Sequence, residues 1–130
     1  MTAADPAGPV IDAMAYAVAG DVAHVRSFVR AAALDRGLPA VRVELLVLAA
    51  SELATNTIQH TTGGGRVRVW REQHQVVCEV ADAGTDKAFA QMPGADSFRG
   101  RGLAIVKRVV DELTTFATAG GSVVQLRMNG

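Results

Sequence analysis

The chain has 130 residues, 49% of them hydrophobic, which suffices for one hydrophobic core but not for two ordinary domains. Basic and acidic residues number 13 each, so no net charge attracts nucleic acid or an anionic membrane, and neither is an expected direct partner. A single cysteine, no signal-like N-terminus and no apolar run near the roughly 18 residues of a membrane span predict a cytoplasmic protein.

The first half of the chain predicts two helices. Residues 1–9 read as a flexible tail, leaving 10–130 as one domain, and residues 10–19 are ambiguous between an edge strand, which we favour, and irregular structure. Asp21 can cap a helix whose end is marked by Gly37. A second helix is predicted from Pro39, which a first helical turn tolerates, to His60.

The second half predicts four strands, a loop and a helix. Strict alternation over residues 66–71 and an apolar run over 75–81 indicate an antiparallel hairpin. Two further strands are expected at 113–117 and 122–128, around the turn Gly120-Gly121. Between these pairs lie a loop over residues 83–101 and a third helix, which opens at Gly102 and carries Leu103, Val106, Val109 and Val110. The predicted fold class is α+β, a two-layer sandwich with about three helices on one face of a mostly antiparallel mixed sheet.

The second helix carries an apolar stripe that becomes polar. At 100° per residue, one narrow stripe predicted to face the core contains Val41, Leu45, Leu48, Glu52 and Asn56, with His60 at its margin. A carboxylate and an amide are costly in a dry interior, so this end is expected to face a cavity, a ligand or an ion. Glu52 can act as a base and Asn56 can ligate a hard cation. Alternatively, the stripe leaves the core and both side chains are simply hydrated.

An acidic residue ends the second strand of the hairpin. Asp82 follows an apolar run and is followed by Gly84. Its carboxylate could accept a hydrogen bond from the adenine amino group, whereas guanine has a carbonyl at that position. The alternative is an Asp-X-Gly turn that only ends the strand.

A Gly-X-Gly sequence precedes the third helix. In Gly100-Arg101-Gly102-Leu103, free backbone N–H groups at the start of a helix can hold phosphate oxygens, with charge added by Arg101. Neither a P-loop nor a dinucleotide-binding glycine pattern is present. A tight connection without a ligand is the alternative.

Taken together, ELATNTIQH, DAG and GRGLAIVKRVV resemble the three nucleotide-binding motifs of the GHKL, or Bergerat-fold, ATPases. The E-L-X-T-N-X-X-X-H form of the first motif is most similar to the anti-sigma regulatory factors, which are serine-protein kinases. The resemblance covers about residues 10 to 128 and implies a histidine-kinase-like ATPase fold.

The resemblance also implies roles for individual residues. Glu52 would be the catalytic base, Asn56 would hold Mg²⁺ against the phosphates of ATP, Asp82 would bind the adenine amine and Gly84 would form the turn beside it. The other nucleotide-binding positions that it implies are Thr55, His60, Gly100, Arg101, Gly102, Leu103 and Ser122.

The implied function is phosphorylation of a serine or threonine in an anti-sigma-factor antagonist, with sequestration of a sigma factor and a homodimeric state. Two features depart from the family pattern: Asp86 replaces a frequent glycine, and the loop before Gly100 is short. ATP binding is therefore a firmer expectation than ATP turnover, and a non-catalytic ATP- or ADP-binding regulatory module is the alternative. An isolated sensor-kinase catalytic domain is less favoured, because no helical hairpin with a phosphoacceptor histidine precedes it.

Overall fold

The computed structural model describes residues 10–60, 64–82, 105–118 and 121–130. The strands are β1 (Asp12–Tyr16), β2 (Gly65–Glu72), β3 (Gln75–Asp82), β4 (Glu112–Thr118) and β5 (Gly121–Asn129), and the helices are α1 (Asp21–Asp35) and α2 (Ala40–His60). Residues 105–109 form a further short helical segment. Neither described helix is apolar enough over its length to cross a bilayer.

The five strands form one sheet in the order β1-β2-β3-β5-β4. Each described pairing is antiparallel, including the predicted hairpin of β2 and β3, which turns at Gln73 with a φ of 52°. The register places Gly65 opposite both Tyr16 and Asp82, so these three residues lie on one face at one end of the sheet.

The helices pack on one face of this sheet, which confirms the predicted α+β class. Alternate strand residues point towards α1 and α2 and close a single core between the two layers. That core includes Val25 and Val29 of α1, Val43, Leu46 and Leu53 of α2, and Val67, Val69, Val76, Cys78, Val80, Leu126 and Met128 of the sheet.

Helix α1 begins and ends where the sequence predicts, but Asp21 does not cap it. The N-cap residue is Gly20, which makes no side-chain hydrogen bond, and the Asp21 carboxylate instead accepts from the backbone N–H groups of Ala17 (2.8 Å) and Val18 (3.1 Å). Asp21 therefore fixes the connection that enters the helix. At the other end Gly37, with a φ of 86°, donates its N–H to the Leu34 carbonyl, as a glycine after a helix often does.

The predicted orientation of α2 is wrong for part of the apolar half of its stripe. Val41 is 76% exposed and Leu48 is 42% exposed, whereas the buried positions include Val43, Leu46 and Ala50. Leu45, which lies between them in the stripe, is partly buried and packs against the core as predicted. Apolar residues occur on both sides of the helix, and the side that bears Val43 and Leu46 packs on the sheet and on α1. Along the stripe, burial is greatest at Asn56.

The third helix is described only in part. Its predicted start at Gly102 and the loop over 83–101 lie outside the described residues, as does the tail over 1–9. Val106 is buried on the helical segment, while Val110, predicted to be helical, follows the segment in a bend and is also buried. Both valines belong to the core.

Candidate functional site

Asp82 ends β3 and is held by the start of β5. The backbone N–H of Ser122 donates to Asp82 Oδ2 at 3.2 Å. Gly121, with a φ of 149°, packs so closely on the carboxylate that a Cβ at this position would overlap it. The structure thus brings Asp82 and Ser122 together, and Ser122 orients the carboxylate through its backbone.

Tyr16 pairs with Gly65 from the side opposite Asp82, and its side chain packs over Gly65. A Cβ on Gly65 would stand 2.5 Å from the Tyr16 hydroxyl oxygen and 2.7 Å from Cζ, so only a glycine leaves room for the ring. The ring therefore extends from β1 over β2 towards Asp82 on β3. The residue is 3% exposed, and its hydroxyl has no hydrogen-bond partner among the described residues.

The Tyr16 hydroxyl lies between α2 and the sheet. Burial raises the pKa of Tyr16 to about 12, the nearby Thr57 hydroxyl lowers it in part, and the charges of Asp82 and Cys78 raise it further. Thr57 is close enough to influence the phenol without completing a hydrogen bond of ordinary geometry, and it donates to the Leu53 carbonyl at 3.0 Å. The residue after Asn56 thus adjoins the same tyrosine as Asp82.

The predicted polar residues of α2 lie one turn apart on its C-terminal half. Asn56 is 8% exposed, yet its side chain makes no hydrogen bond to a described residue. Glu52 is half-buried and forms no ion pair within the described chain, and Thr55 is half-buried beside it. His60 is the last residue of the helix. An amide and a carboxylate are therefore available on the segment that approaches Asp82.

A cavity of about 760 Å³ opens beside Asp82 and Tyr16, but it extends away from the helices. Arg66, Arg68 and Ala81 contribute to its wall from the opposite face of the sheet, because alternate strand residues point to opposite sides. Neither Glu52 nor Asn56 lines it. The cavity therefore does not coincide with the predicted nucleotide site, which lies on the helix side of Asp82.

The sequence model of the histidine kinase-like ATPase domain matches residues 16–128. The chain belongs to this family. The match extends over nearly the whole described fold, from Tyr16 at the end of β1 to Met128 in β5. The resemblance to GHKL ATPases found in the sequence motifs is confirmed at this level.

The ATPase-domain fold is also seen in a solved structure, that of the RsbU and RsbW domains of Rv1364c from Mycobacterium tuberculosis. It matches with a TM-score of 0.70 and 21% identity over 94% of this chain, but over only 32% of the other chain. Our chain thus spans about a third of that protein, and the likeness establishes the fold. A search of curated proteins found no match.

The predicted phosphate-binding residues fall outside the described part of the chain. Gly84, Gly100, Arg101, Gly102 and Leu103 all lie outside that part. The described part contains the predicted adenine contact Asp82 and the predicted metal ligand Asn56. Their roles remain predictions.

The donor set fits a magnesium ion that is bound mainly through phosphates. Within the described residues, no three His, Cys, Asp or Glu side chains cluster into a metal site. Asn56 offers one carbonyl oxygen from a buried amide that has no hydrogen-bond partner among the residues the structure describes. Because Mg²⁺ keeps several waters and usually takes one or two protein ligands beside substrate phosphates, this single ligand suffices.

Sequence reasoning did not identify Tyr16 or Thr57. Thr57 lies inside the ELATNTIQH motif, so its position next to Asn56 could have been a signal. Tyr16 carries none, because its relation to Asp82 depends on the pairing of β1 with β2 across Gly65. Only the three-dimensional arrangement reveals it.

Proposed function

We propose that this ATPase domain binds Mg-ATP and transfers the γ-phosphoryl group to a serine or threonine of an anti-sigma-factor antagonist, thereby controlling the availability of a sigma factor. The observation that carries the proposal is Asp82, an oriented carboxylate at the end of β3, together with Asn56, a buried amide that makes no hydrogen bond to a described residue. The two are linked through Tyr16, whose pKa is influenced both by Asp82 and by Thr57, the neighbour of Asn56. The form of the ELATN motif and the match to an RsbW-containing structure favour the anti-sigma type.

The described residues would divide the work of binding between them. Asp82 accepts a hydrogen bond from the adenine amine, with its second oxygen held by the Ser122 N–H. Asn56 holds Mg²⁺, which supplies neutralisation of phosphate charge when bound. The resemblance assigns the phosphates to the backbone N–H groups of the glycines around Arg101, which lie outside the described residues.

Glu52 would orient and deprotonate the attacking hydroxyl. The hydroxyl oxygen forms a bond to the γ-phosphorus, the bond to the bridging oxygen breaks, ADP leaves, and the proton passes to the Glu52 carboxylate. Half-burial and the absence of an ion pair within the described chain leave that carboxylate accessible to a substrate hydroxyl. Positioning of the two reactants supplies most of the remaining acceleration.

A second candidate function is regulation without phosphoryl transfer. Asp86 replaces a glycine that many relatives carry two residues after the Asp-X-Gly turn, which favours weaker or slower use of ATP. In this case the domain holds ATP or ADP and acts by binding its partner alone. Homodimerisation and a cytoplasmic location are proposed for both candidates.

Transfer of label from γ-labelled ATP to a candidate antagonist encoded beside this chain tests the proposal. Glu52→Ala should retain ATP binding but lose transfer by a factor on the order of 100 or more, because it removes the base. Asn56→Ala should weaken both ATP binding and phosphoryl transfer, because the metal ion that holds the phosphates loses its protein ligand.

Glu44→Ala is the matched control, since Glu44 lies on the same helix and forms a surface ion pair with Arg30 at 2.8 Å. It should behave as the wild type. Binding of ATP without any transfer would favour the regulatory module, and failure to bind ATP at all would reject both candidates.

A further inference from the structure

Tyr16 is a buried donor in contact with the candidate adenine site, and the fold gives it no partner among the described residues. Its ring occupies the space that Gly65 leaves open, which directs the hydroxyl from β1 towards the end of β3. A buried hydroxyl left unbonded destabilises the native state, and buried polar groups normally find partners. We therefore expect the Tyr16 hydroxyl to form its hydrogen bond in another state of the protein.

Asp82 is a charged acceptor close enough to act on the Tyr16 phenol. Burial chiefly, and the charge of Asp82 in part, keep the phenol protonated, and the pKa of about 12 means that Tyr16 remains a donor at neutral pH. Hydrogen bonds to an ionised acceptor are about twice as strong as neutral ones. Both side chains lie against Gly65 and already influence each other electrostatically, so an adjustment in the nucleotide-bound state would complete the bond.

We infer that Tyr16 is a positioning residue for adenine recognition: when a nucleotide binds, its hydroxyl donates to the Asp82 carboxylate and, together with the Ser122 N–H, fixes that carboxylate towards the adenine amine. This inference rests on the proposed function and extends it. Tyr16 acts through Asp82, because its own hydroxyl is enclosed by protein.

The consequence is a contribution to the choice between adenine and guanine. A carboxylate held in one orientation raises the affinity for a base that donates a hydrogen bond to it. It lowers the affinity for a base that presents a carbonyl, since the carboxylate and the carbonyl are both acceptors. Without the tyrosine hydroxyl the Asp82 side chain can turn away. Affinity for ATP should then fall, whereas affinity for GTP should not.

Calorimetric titration of Tyr16→Phe with Mg-ATP and Mg-GTP tests this. Phenylalanine fills the same volume, so folding should be retained, and we expect ATP affinity to drop about tenfold with GTP affinity unchanged. In an Asp82→Ala background, adding Tyr16→Phe should have no further effect on ATP affinity, because the group that it positions is gone.

Val69→Ala is the control for loss of stability. Val69 is a core residue on the helix-facing side of β2, two residues beyond Val67 and away from Asp82, so its truncation destabilises the core without touching the candidate adenine site. It should leave the ATP-to-GTP affinity ratio unchanged. If the wild type prefers ATP and Tyr16→Phe keeps that ratio, or lowers ATP affinity equally without Asp82, the role of Tyr16 is refuted while the proposed function stands. If the wild type shows no preference, adenine recognition by Asp82 fails and the inference fails with it.

Discussion

At the scale of single residues, burial rather than sequence motif decides the chemistry of Cys78. The thiol is fully enclosed between α2 and the sheet, and burial raises its pKa to about 12, with the charge of Glu79 as a lesser cause. The thiolate is the nucleophilic form, so the native cysteine is inert at neutral pH. Cys78 lies in the apolar run Val76-Val77-Cys78, a setting typical of a buried thiol.

The same shift predicts a loss of stability in alkali. An unfolded thiol ionises near the ordinary value of 9.0, whereas the folded one holds its proton to about 12. Between these values the unfolded chain releases a proton that the native chain keeps, so the free energy of unfolding falls as pH rises, by on the order of 1 kcal/mol per pH unit. Below the unfolded value this contribution is fully present.

Urea unfolding of the wild type and of Cys78→Val across this pH range measures the effect. Valine has a similar volume and does not titrate, so the variant should lose less stability with rising pH than the wild type. Parallel curves would show that the thiol ionises equally in both states. Tyr16 is present in both proteins, so its raised pKa cancels in the comparison except for the smallest of its causes, the charge of Cys78.

At the scale of secondary-structure elements, a polar network joins three strands on the face of the sheet that the helices leave uncovered. Arg68 Nε donates to Glu79 Oε1 at 2.9 Å, and Gln125 Nε2 donates to Glu79 Oε2 at 2.9 Å. Arg68 also lies 5.7 Å from the centre of the Trp70 ring. The Glu79 side chain is only 8% exposed, whereas that of Arg68 is 41% exposed. Removing Arg68 therefore leaves a buried charge without its counter-ion, whereas removing Glu79 leaves a charge that water can still hydrate.

We expect Arg68→Ala to cost about 2 kcal/mol, because it leaves a buried carboxylate with only Gln125 as partner. That figure is below the usual cost for a buried pair, because Arg68 is partly hydrated. The double variant Arg68→Ala/Glu79→Gln should recover about half of the loss, since the uncompensated charge is gone. Urea unfolding gives all three values.

As the exposed counterpart, Arg30→Ala removes an arginine from a pair whose Glu44 side chain is 58% exposed, and it should leave the free energy of unfolding nearly unchanged. A double Arg68/Glu79 variant no more stable than Arg68→Ala would contradict the view that the buried charge dominates.

Element boundaries were largely readable from the sequence because their signals are local. The alternation over residues 66–71 and the glycine at position 37 correctly marked β2 and the end of α1. The buried face of α2 was not readable, because valines and leucines occur on both sides and only contact with α1 and the sheet selects Val43 and Leu46 over Val41 and Leu48. Periodicity reports which residues share a face, not which face is covered.

At the scale of the whole molecule, the candidate site is assembled from segments that are far apart in sequence. The roles proposed for Asp82 and Asn56 come from the sequence, because each residue belongs to a motif with its own chemistry. The contact of Ser122 with Asp82 depends on how β5 pairs beside β3, and the approach of Tyr16 depends on Gly65 in the strand between. Such relations are properties of the sheet, so no local pattern reports them.

Because the site joins α2, β3 and β5, nucleotide binding should stabilise the entire fold. A ligand that binds only the native state adds RT ln(1 + [L]/Kd) to the free energy of unfolding, which is about 2.7 kcal/mol at a ligand concentration of 100 Kd. Mg-ATP should therefore raise the thermal midpoint of the wild type, and Mg-GTP should do so less. In Asp82→Ala the difference between the two nucleotides should vanish, because the discriminating acceptor is absent. Asp35→Ala, at the exposed end of α1, should keep it, and an ATP-selective shift that persists without Asp82 would place adenine recognition elsewhere in the chain.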